Sequence, residues 1–416
     1  MAKKDGCRRN RCLAGLTLLL LAGAVAVTGC RDREHKAASC QPPQIPAEEL
    51  EVLDWGFRFA TAIPTVRSYL VTRSDAQYEV LKTYLHHGLA DEVESRLKDV
   101  GNWRRGQLYT DLAAHYARAG RRAAAEKNLD LARQFRDAID GWQKTRITAH
   151  IGQVHSTLDH TEEAGRLETD LPEEESIRVT KQRIEDLAQR EGVQSALDHM
   201  KAREDTESFE VRHAVVKGYA DLLGHPDASS GTEAFSEITN RIEGLIAELP
   251  PLMRQQSLRR MAMRAFEGGS AEAGRAVLER AEEDLKSLPL NARFDIPLLV
   301  GLAQVWSEEA DSPERAAVLM EDAAEILEQQ AQKIRPIYRM EAITALAGGF
   351  ASIGREDRAR DYYGRVLDLA EKQNNGRPRA RIVAELCASM GHYRLTLTEE
   401  FEGRLERMLA GLGEPW

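Results

Sequence analysis

The sequence is poor in aromatic residues, which make up 6% of its 416 positions, and it holds only five cysteines and 14 prolines. With few aromatics and little alternation of apolar and polar residues, no strand ladder is expected. An excess of basic charge is also lacking. The formal charge is −10, and residues 1–29 carry five basic residues against one acidic, so the chain without them carries −14. Such a balance argues against a nucleic-acid partner, which needs a basic face. Cys7 and Cys12 lie in a basic and apolar leader, while Cys40 and Cys387 stand at opposite ends of the sequence. Neither a disulfide framework nor a metal cluster follows from that spacing. There is no nucleophile elbow, phosphate-binding glycine loop, zinc-binding His-Glu motif or Cys-x-x-Cys pair, so no cofactor, no metal and no enzyme activity are expected.

What is present begins at the N-terminus. Lys3, Lys4, Arg8, Arg9 and Arg11 precede an apolar run from Cys12 to Val27, which ends in Thr28, Gly29 and Cys30. The 16-residue run falls short of the roughly 20 residues that span a bilayer. Val27, Thr28, Gly29 and Cys30 resemble the lipobox of bacterial lipoprotein precursors. The resemblance implies cleavage before Cys30, a diacylglyceryl group on that cysteine and a mature chain held at a membrane by lipid. Because Arg31 follows rather than aspartate, it also implies the outer membrane, facing the periplasm, if the host is Gram-negative. Residues 30–46 are charged and contain three prolines, which reads as the lipidated cysteine and a flexible tether.

From residue 47 to 413 the pattern is helix, short turn, helix, so the expected fold class is all-α, with residues 414–416 as an exposed tail. One spacing recurs. Tyr109, Leu112, Ala113, Tyr116, Gly120, Ala125, Leu129 and Ala132 are repeated as Leu258, Met261, Ala262, Ala265, Gly269, Gly274, Leu278 and Ala281. They appear again as Ile343, Leu346, Ala347, Phe350, Gly354, Ala359, Tyr363 and Val366. A fourth copy (Leu299, Leu302, Ala303, Trp306, Ala316, Met320, Ala323) fits if its turn is one residue longer. Weaker copies surround Gly88 and Asp159. The spacing is that of an antiparallel helix pair, with small residues where the axes approach and glycine in a left-handed turn. Each pair leaves an apolar face uncovered, so the pairs must stack into an α-α superhelix, a solenoid of helix hairpins.

These residues resemble the tetratricopeptide repeat, from about Gln77 to Gly391. Unit distances such as 32 from Gly88 to Gly120, 41 from Gly269 to Ala310 and 44 from Ala310 to Gly354 depart from that family's period. Residues 171–255 fit poorly, and Gly391 opens a last unit whose second half does not match, as a terminal cap would. The resemblance implies a groove lined by first helices, with Gln107, Thr110, Asp111, Ala117, Arg118, Glu341, Thr344 and Ser352 facing it. It also implies a binding scaffold whose partner is another envelope protein or peptide. The alternatives are an enzyme acting on cell-wall glycan, betrayed by a deep pocket with a raised glutamate pKa, and a self-assembling structural lipoprotein.

Other groups read as structural. His150, His155 and His160 are spaced by five, which turns neighbours about 140° apart on one helix, and His155 falls on an aromatic core position. His86 and His87 end a helix, where positive character suits the dipole. Glu173-Glu174-Glu175, Glu308-Glu309 and Glu282-Glu283-Asp284 read as solvated helix faces. Trp55, Trp103, Trp142 and Trp306 read as core anchors, and Trp416 as part of the tail.

Overall fold

The computed structural model describes residues 47–288 and 291–416. The leader, the lipobox residues Val27, Thr28, Gly29 and Cys30, and the tether with Cys40 lie outside the described residues. Among the described residues the regular structure is all helix, with 19 α-helices, three short 3-10 turns and no strand. No described helix is long and apolar enough to cross a membrane.

Helix α1 spans Ala47–Ala62 and precedes a run of hairpins. The first two pair α2 (Leu70–His86) with α3 (Ala90–Arg96), and α4 (Asn102–Arg118) with α5 (Arg122–Asp137). The next two pair α6 (Trp142–Thr157) with α7 (Thr161–Asp170), and α8 (Glu173–Glu191) with α9 (Val193–Lys201). Then come α10 (Phe209–Leu222) with α11 (Glu233–Ile246), and α12 (Pro251–Glu267) with α13 (Ala271–Ser287). They are followed by α14 (Ala292–Glu308) with α15 (Pro313–Gln330), and α16 (Pro336–Ser352) with α17 (Glu356–Glu371). Helices α18 (Gly376–His392) and α19 (Glu399–Ala410) end the chain. The stretch 171–255, which matched the repeat poorly in sequence, thus supplies two ordinary hairpins.

The recurring spacing has a recurring hydrogen bond behind it. In the clearest hairpin the N–H of Arg121 donates to Tyr116 O at 2.8 Å, across a turn at Gly120 with φ +70°. The same bond joins Leu89 to Tyr84, His160 to His155, Ser270 to Ala265, Arg355 to Phe350 and Leu395 to Met390. Each closes over a left-handed residue, which satisfies an orphan carbonyl of the first helix. In the fourth copy Ser312 reaches Trp306 across one extra residue, so the left-handed position is Asp311 (φ +51°) rather than Ala310. In the last copy it is Arg394 (φ +57°). Gly391 therefore lies inside α18, and a Cβ there would sit 2.3 Å from Leu53 Cδ2. Its smallness serves a close helix approach and not a turn.

That approach defines the architecture. The second helices α5, α7, α9, α13, α15 and α17 each pack on their own first helix and on the first helix of the next hairpin, as α5 does on α4 and α6. Helix α1 packs in the same way on α18 and α2, while α18 and α2 also pack together. The N-terminal helix thus occupies the second-helix place of the final hairpin, and the nine first helices form a closed succession instead of an open, capped solenoid. Gly56 of α1 is the small residue at this crossing: an added Cβ would lie 2.9 Å from Cys387 Cβ and 3.2 Å from Val80. Leu53, Phe59 and Ile63 are fully buried in the seam, each contributing about 1.5–3 kcal/mol by area. Helix α19 touches α1 and is tied to α17 by Arg404, which bonds Asp368 at 2.6 Å and Glu371 at 3.0 Å.

Two tryptophans differ from expectation. Trp142 is 58% exposed and rests edge-on against Trp103, because it opens α6 at the rim before the helix enters the packed layer. The terminal residues are packed: Tyr69 Oη donates to Trp416 O at 3.2 Å, and Gly376 N donates to Pro415 O at 2.7 Å.

Two outcomes follow. Gly354 (φ +75°) has nothing within 4 Å of an added Cβ, so Gly354→Ala carries only a backbone cost, about 1–2 kcal/mol in urea unfolding. Gly56→Leu displaces α1 from the Cys387 thiol, which is fully buried. In a chain whose other cysteines are serine, labelling of Cys387 by a thiol reagent accelerates at least about tenfold, since local opening governs access. An unchanged rate refutes the clasp.

Candidate functional site

The face shared by successive first helices carries a ladder of charged side chains. Its centre is Asp221 on α10, whose side chain is 1% exposed. Lys181 Nζ on α8 lies 2.7 Å from Oδ2, and Arg260 Nε and Arg264 Nε on α12 donate to Oδ1 at 2.6 and 2.9 Å. Burial alone raises a carboxyl pKa, but these three cations overcome it and hold Asp221 well below the usual range. Glu185, one turn after Lys181, is raised by burial and then by the charge of Asp221. Asp186 is raised to about 7 by burial and by Glu185. Consecutive side chains on a helix diverge by about 100°, so Glu185 and Asp186 do not face one bond as an acid and base pair.

The ladder continues to either side. Arg146 on α6 and Arg178 on α8 meet Glu175 at 2.7 and 3.0 Å, so one of the three glutamates read as solvated is an interhelix partner. Away from this face, Glu282 of α13, also read as solvated, is buried under the Trp306 N–H at 2.5 Å and the Arg315 guanidinium of α15. Arg104 on α4 meets Asp75 on α2 at 2.7 Å. Asp111 is raised to about 6 by burial, against the opposing hydrogen bond of Tyr78, and His150 Nδ1 stands 3.9 Å away. On the other side Gln304 Nε2 of α14 donates to Tyr393 Oη at 3.0 Å, over Gly348 of α16, and Arg381 pairs with Glu385 at 2.6 Å.

The expected groove residues divide. Arg118 and Glu341 are exposed; Asp111, Ala117, Thr344 and Ser352 are half-buried. Gln107 and Thr110 are not surface groups: Gln107 Nε2 donates to Tyr78 Oη at 2.8 Å, and Thr110 Oγ1 donates to Gln107 O at 2.6 Å, inside the packing. The Asp221 cluster was missed because it falls in the poorly matching stretch. Its signal was present in the i, i+4 series Lys181–Glu185 and His213–Lys217–Asp221.

The histidines are corrected as well. His155 is buried as expected, yet its Nδ1 lies 3.0 Å from that of His160, because the left-handed Asp159 turns the chain back and ends the helical geometry between them. Arg133 donates to His155 Nε2 at 2.9 Å and Arg122 to His160 Nε2 at 2.6 Å, so each ring is held by an arginine on its far nitrogen. His86 stacks on His392 with ring centroids 4.5 Å apart and is lowered to about 4 by burial and by His87, so it is neutral and adds nothing to the helix dipole. No group of three His, Cys, Asp or Glu side chains among the described residues is arranged to hold a metal.

A cleft lies outside this ladder, between α1, α3 and α19. It has a volume of about 490 Å³ and is lined by Asp54, Trp55, Arg58, Arg96, Glu402 and neighbours. Arg58 lies over the Trp55 ring at 3.9 Å, and Arg96 pairs with Asp54 at 2.6 Å, while Glu402 is raised first by the neighbouring charge of Glu51.

Compared with known proteins, the sequence matches no protein-family model and no curated protein.

Buried histidines weaken the fold in acid. His150 and His213 are lowered to about 3, and His86 and His155 to about 4, in each case chiefly by burial. Their folded pKa lies below the unfolded value of about 6.5, so the unfolded chain binds more protons and stability falls as pH drops from about 6.5 toward 4. Asp111 and Asp186, with raised values, act in the opposite sense. His213→Asn therefore flattens the loss between pH 6.5 and 4.5, by up to about 1.4 kcal/mol per pH unit, in urea unfolding measured at each pH.

Proposed function

We propose that this protein is a lipid-anchored scaffold of the bacterial envelope that binds another envelope protein or peptide along the faces of its first helices. The observation that carries the reading is the continuous polar ladder across successive first helices. Charged side chains from α2 to α12 meet there rather than on the outer layer alone. Such a face offers many weak polar contacts spread along a line, which suits an extended or helical segment better than a compact ligand. Arg118 and Glu341, exposed on this face, and the half-buried Asp111, Ala117, Thr344 and Ser352 are the groups we assign to contact. The leader and Cys30 supply the location: export, cleavage before Cys30, and lipid that holds the helical body at a membrane, the outer one in a Gram-negative host. No cofactor, metal or nucleic acid is part of this reading.

The test is co-purification of the full-length lipidated chain from its own membranes beside a Cys30→Ala form, with bound proteins identified by mass spectrometry. A stoichiometric envelope protein, reduced in the Cys30→Ala sample, is the expected result. Recovery of the chain alone, with a mass that grows with concentration, overturns the scaffold in favour of self-assembly. Release of soluble fragments from purified cell-wall glycan overturns it in favour of an enzyme.

A further inference from the structure

Two cations of the polar ladder lack a carboxylate at contact distance. Lys217 lies one turn before Asp221 on α10, and Arg259 neighbours Arg260 on α12; both are half-buried, and neither forms a hydrogen bond or ion pair with the described residues. Asp221 is already shared by Lys181, Arg260 and Arg264, and Glu267 is taken by Arg264. The cluster around Asp221 therefore holds five cations, Lys181, Lys217, Arg259, Arg260 and Arg264, with four carboxylates, Glu185, Asp221, Glu267 and Glu309. Lys217 is lowered to about 8 by burial and then by Arg260, Lys181 and Arg259, with only Asp221 acting in the opposite sense.

Arg259 is also held in place. The Arg259 guanidinium lies against the backbone of α14 at Gly301, where any Cβ would be 2.1 Å from Nη1. His213, one turn before Lys217 and 8% exposed, has a buried Nε2 without a partner. Gln255, one turn before Arg259 and 1% exposed, has neither amide atom satisfied. Two adjacent helices thus each present a cation with an unsatisfied polar side chain one turn away. Leaving such groups unpaired in a half-buried place is costly, and a bound anion removes the cost.

We propose that Lys217 and Arg259 form a binding subsite for a carboxylate of an acidic peptide segment. The peptide source rests on the scaffold reading above, whereas the site itself does not. A carboxylate suits the place because the neighbouring cations already take carboxylates at 2.6 to 2.9 Å. The chain's formal charge of −10 opposes polyanions such as nucleic acid or an anionic membrane surface, while a short acidic segment meets the local positive charge at small repulsive cost.

The test uses the full-length chain and an acetylated, amidated triglutamate peptide, with the triglutamine peptide and inorganic phosphate alongside, read by calorimetry and thermal shift. The triglutamate peptide binds and raises the melting temperature; triglutamine does neither. Lys217→Gln and Arg259→Gln each weaken binding about five- to twentyfold, as expected for a charge-assisted bond of about 1–2 kcal/mol. Both variants raise the melting temperature of the free protein, because each removes an uncompensated charge; a role confined to holding the fold would lower it. Equal binding of the peptide by wild type and both variants overturns the subsite while leaving partner capture intact. Binding of phosphate without the peptide overturns the carboxylate assignment. Peptide binding without any captured envelope protein leaves the subsite and removes the scaffold.

Discussion

The structure depends on the packing of α1 across α18 and α2. A helix hairpin always leaves one apolar face uncovered, and a linear array must end in two such faces, each needing a polar cap. Here the two ends cover one another. Leu53 fills the space over Gly391, and Gly56 lies on Cys387 and Val80, so the small residues that bring helices together inside each hairpin also bring the chain's ends together. The seam is as dry as the interior hairpins, since Val52, Leu53, Val80, Leu81, Val383 and Cys387 are all fully buried.

Closure changes how the charges are used. The second helices join one another by exposed pairs such as Arg280 with Glu243, Arg358 with Glu321 and Arg365 with Glu328, which contribute little to stability. The first helices join through half-buried pairs, where desolvation makes every match and every mismatch count. Asp221 is the extreme case, with three cations on one buried carboxylate. An acidic protein thereby keeps a positive region at α10 and α12, at the centre of its polar face.

Sequence reading succeeded where a unit's own residues determine its form. The hairpins α4–α5, α12–α13 and α16–α17 were legible because glycine follows the small core residue by seven positions, and that glycine is the left-handed residue that closes the turn. It was weaker where other residues do the same work, as Asp159, Asp311 and Arg394 do at positive φ. Residues 171–255 were illegible because α8 and α9 are joined directly at Gly192, and because a 3-10 turn at Pro226–Ala228 interrupts the hairpin that follows. Closure was the largest omission, and no local pattern encodes it: α18 lacked a matching second helix and α1 lacked a first, and only their pairing explains both. Of the site, residues spaced by seven on α4, such as Asp111 and Arg118, were legible, whereas the burial of Gln107 and Thr110 depends on the neighbouring helices.

The seam also has consequences for the order of assembly. Hairpins α2 to α17 form from contacts close in sequence, but the bond between His87 and Gly391 O, at 2.8 Å, joins residues 304 apart. The apolar face of α1, the first helix among the described residues, has no complete seat until α18 follows more than 300 residues later. Local hairpins form fast and the closing contact forms last, because loop-closure entropy must be met before it contributes. A chain that stops short of α18 keeps Leu53, Phe59 and Ile63 uncovered, a sticky surface of the kind that proteases and chaperones recognise. The burial of α1 is thus complete only when the last hairpin is in place.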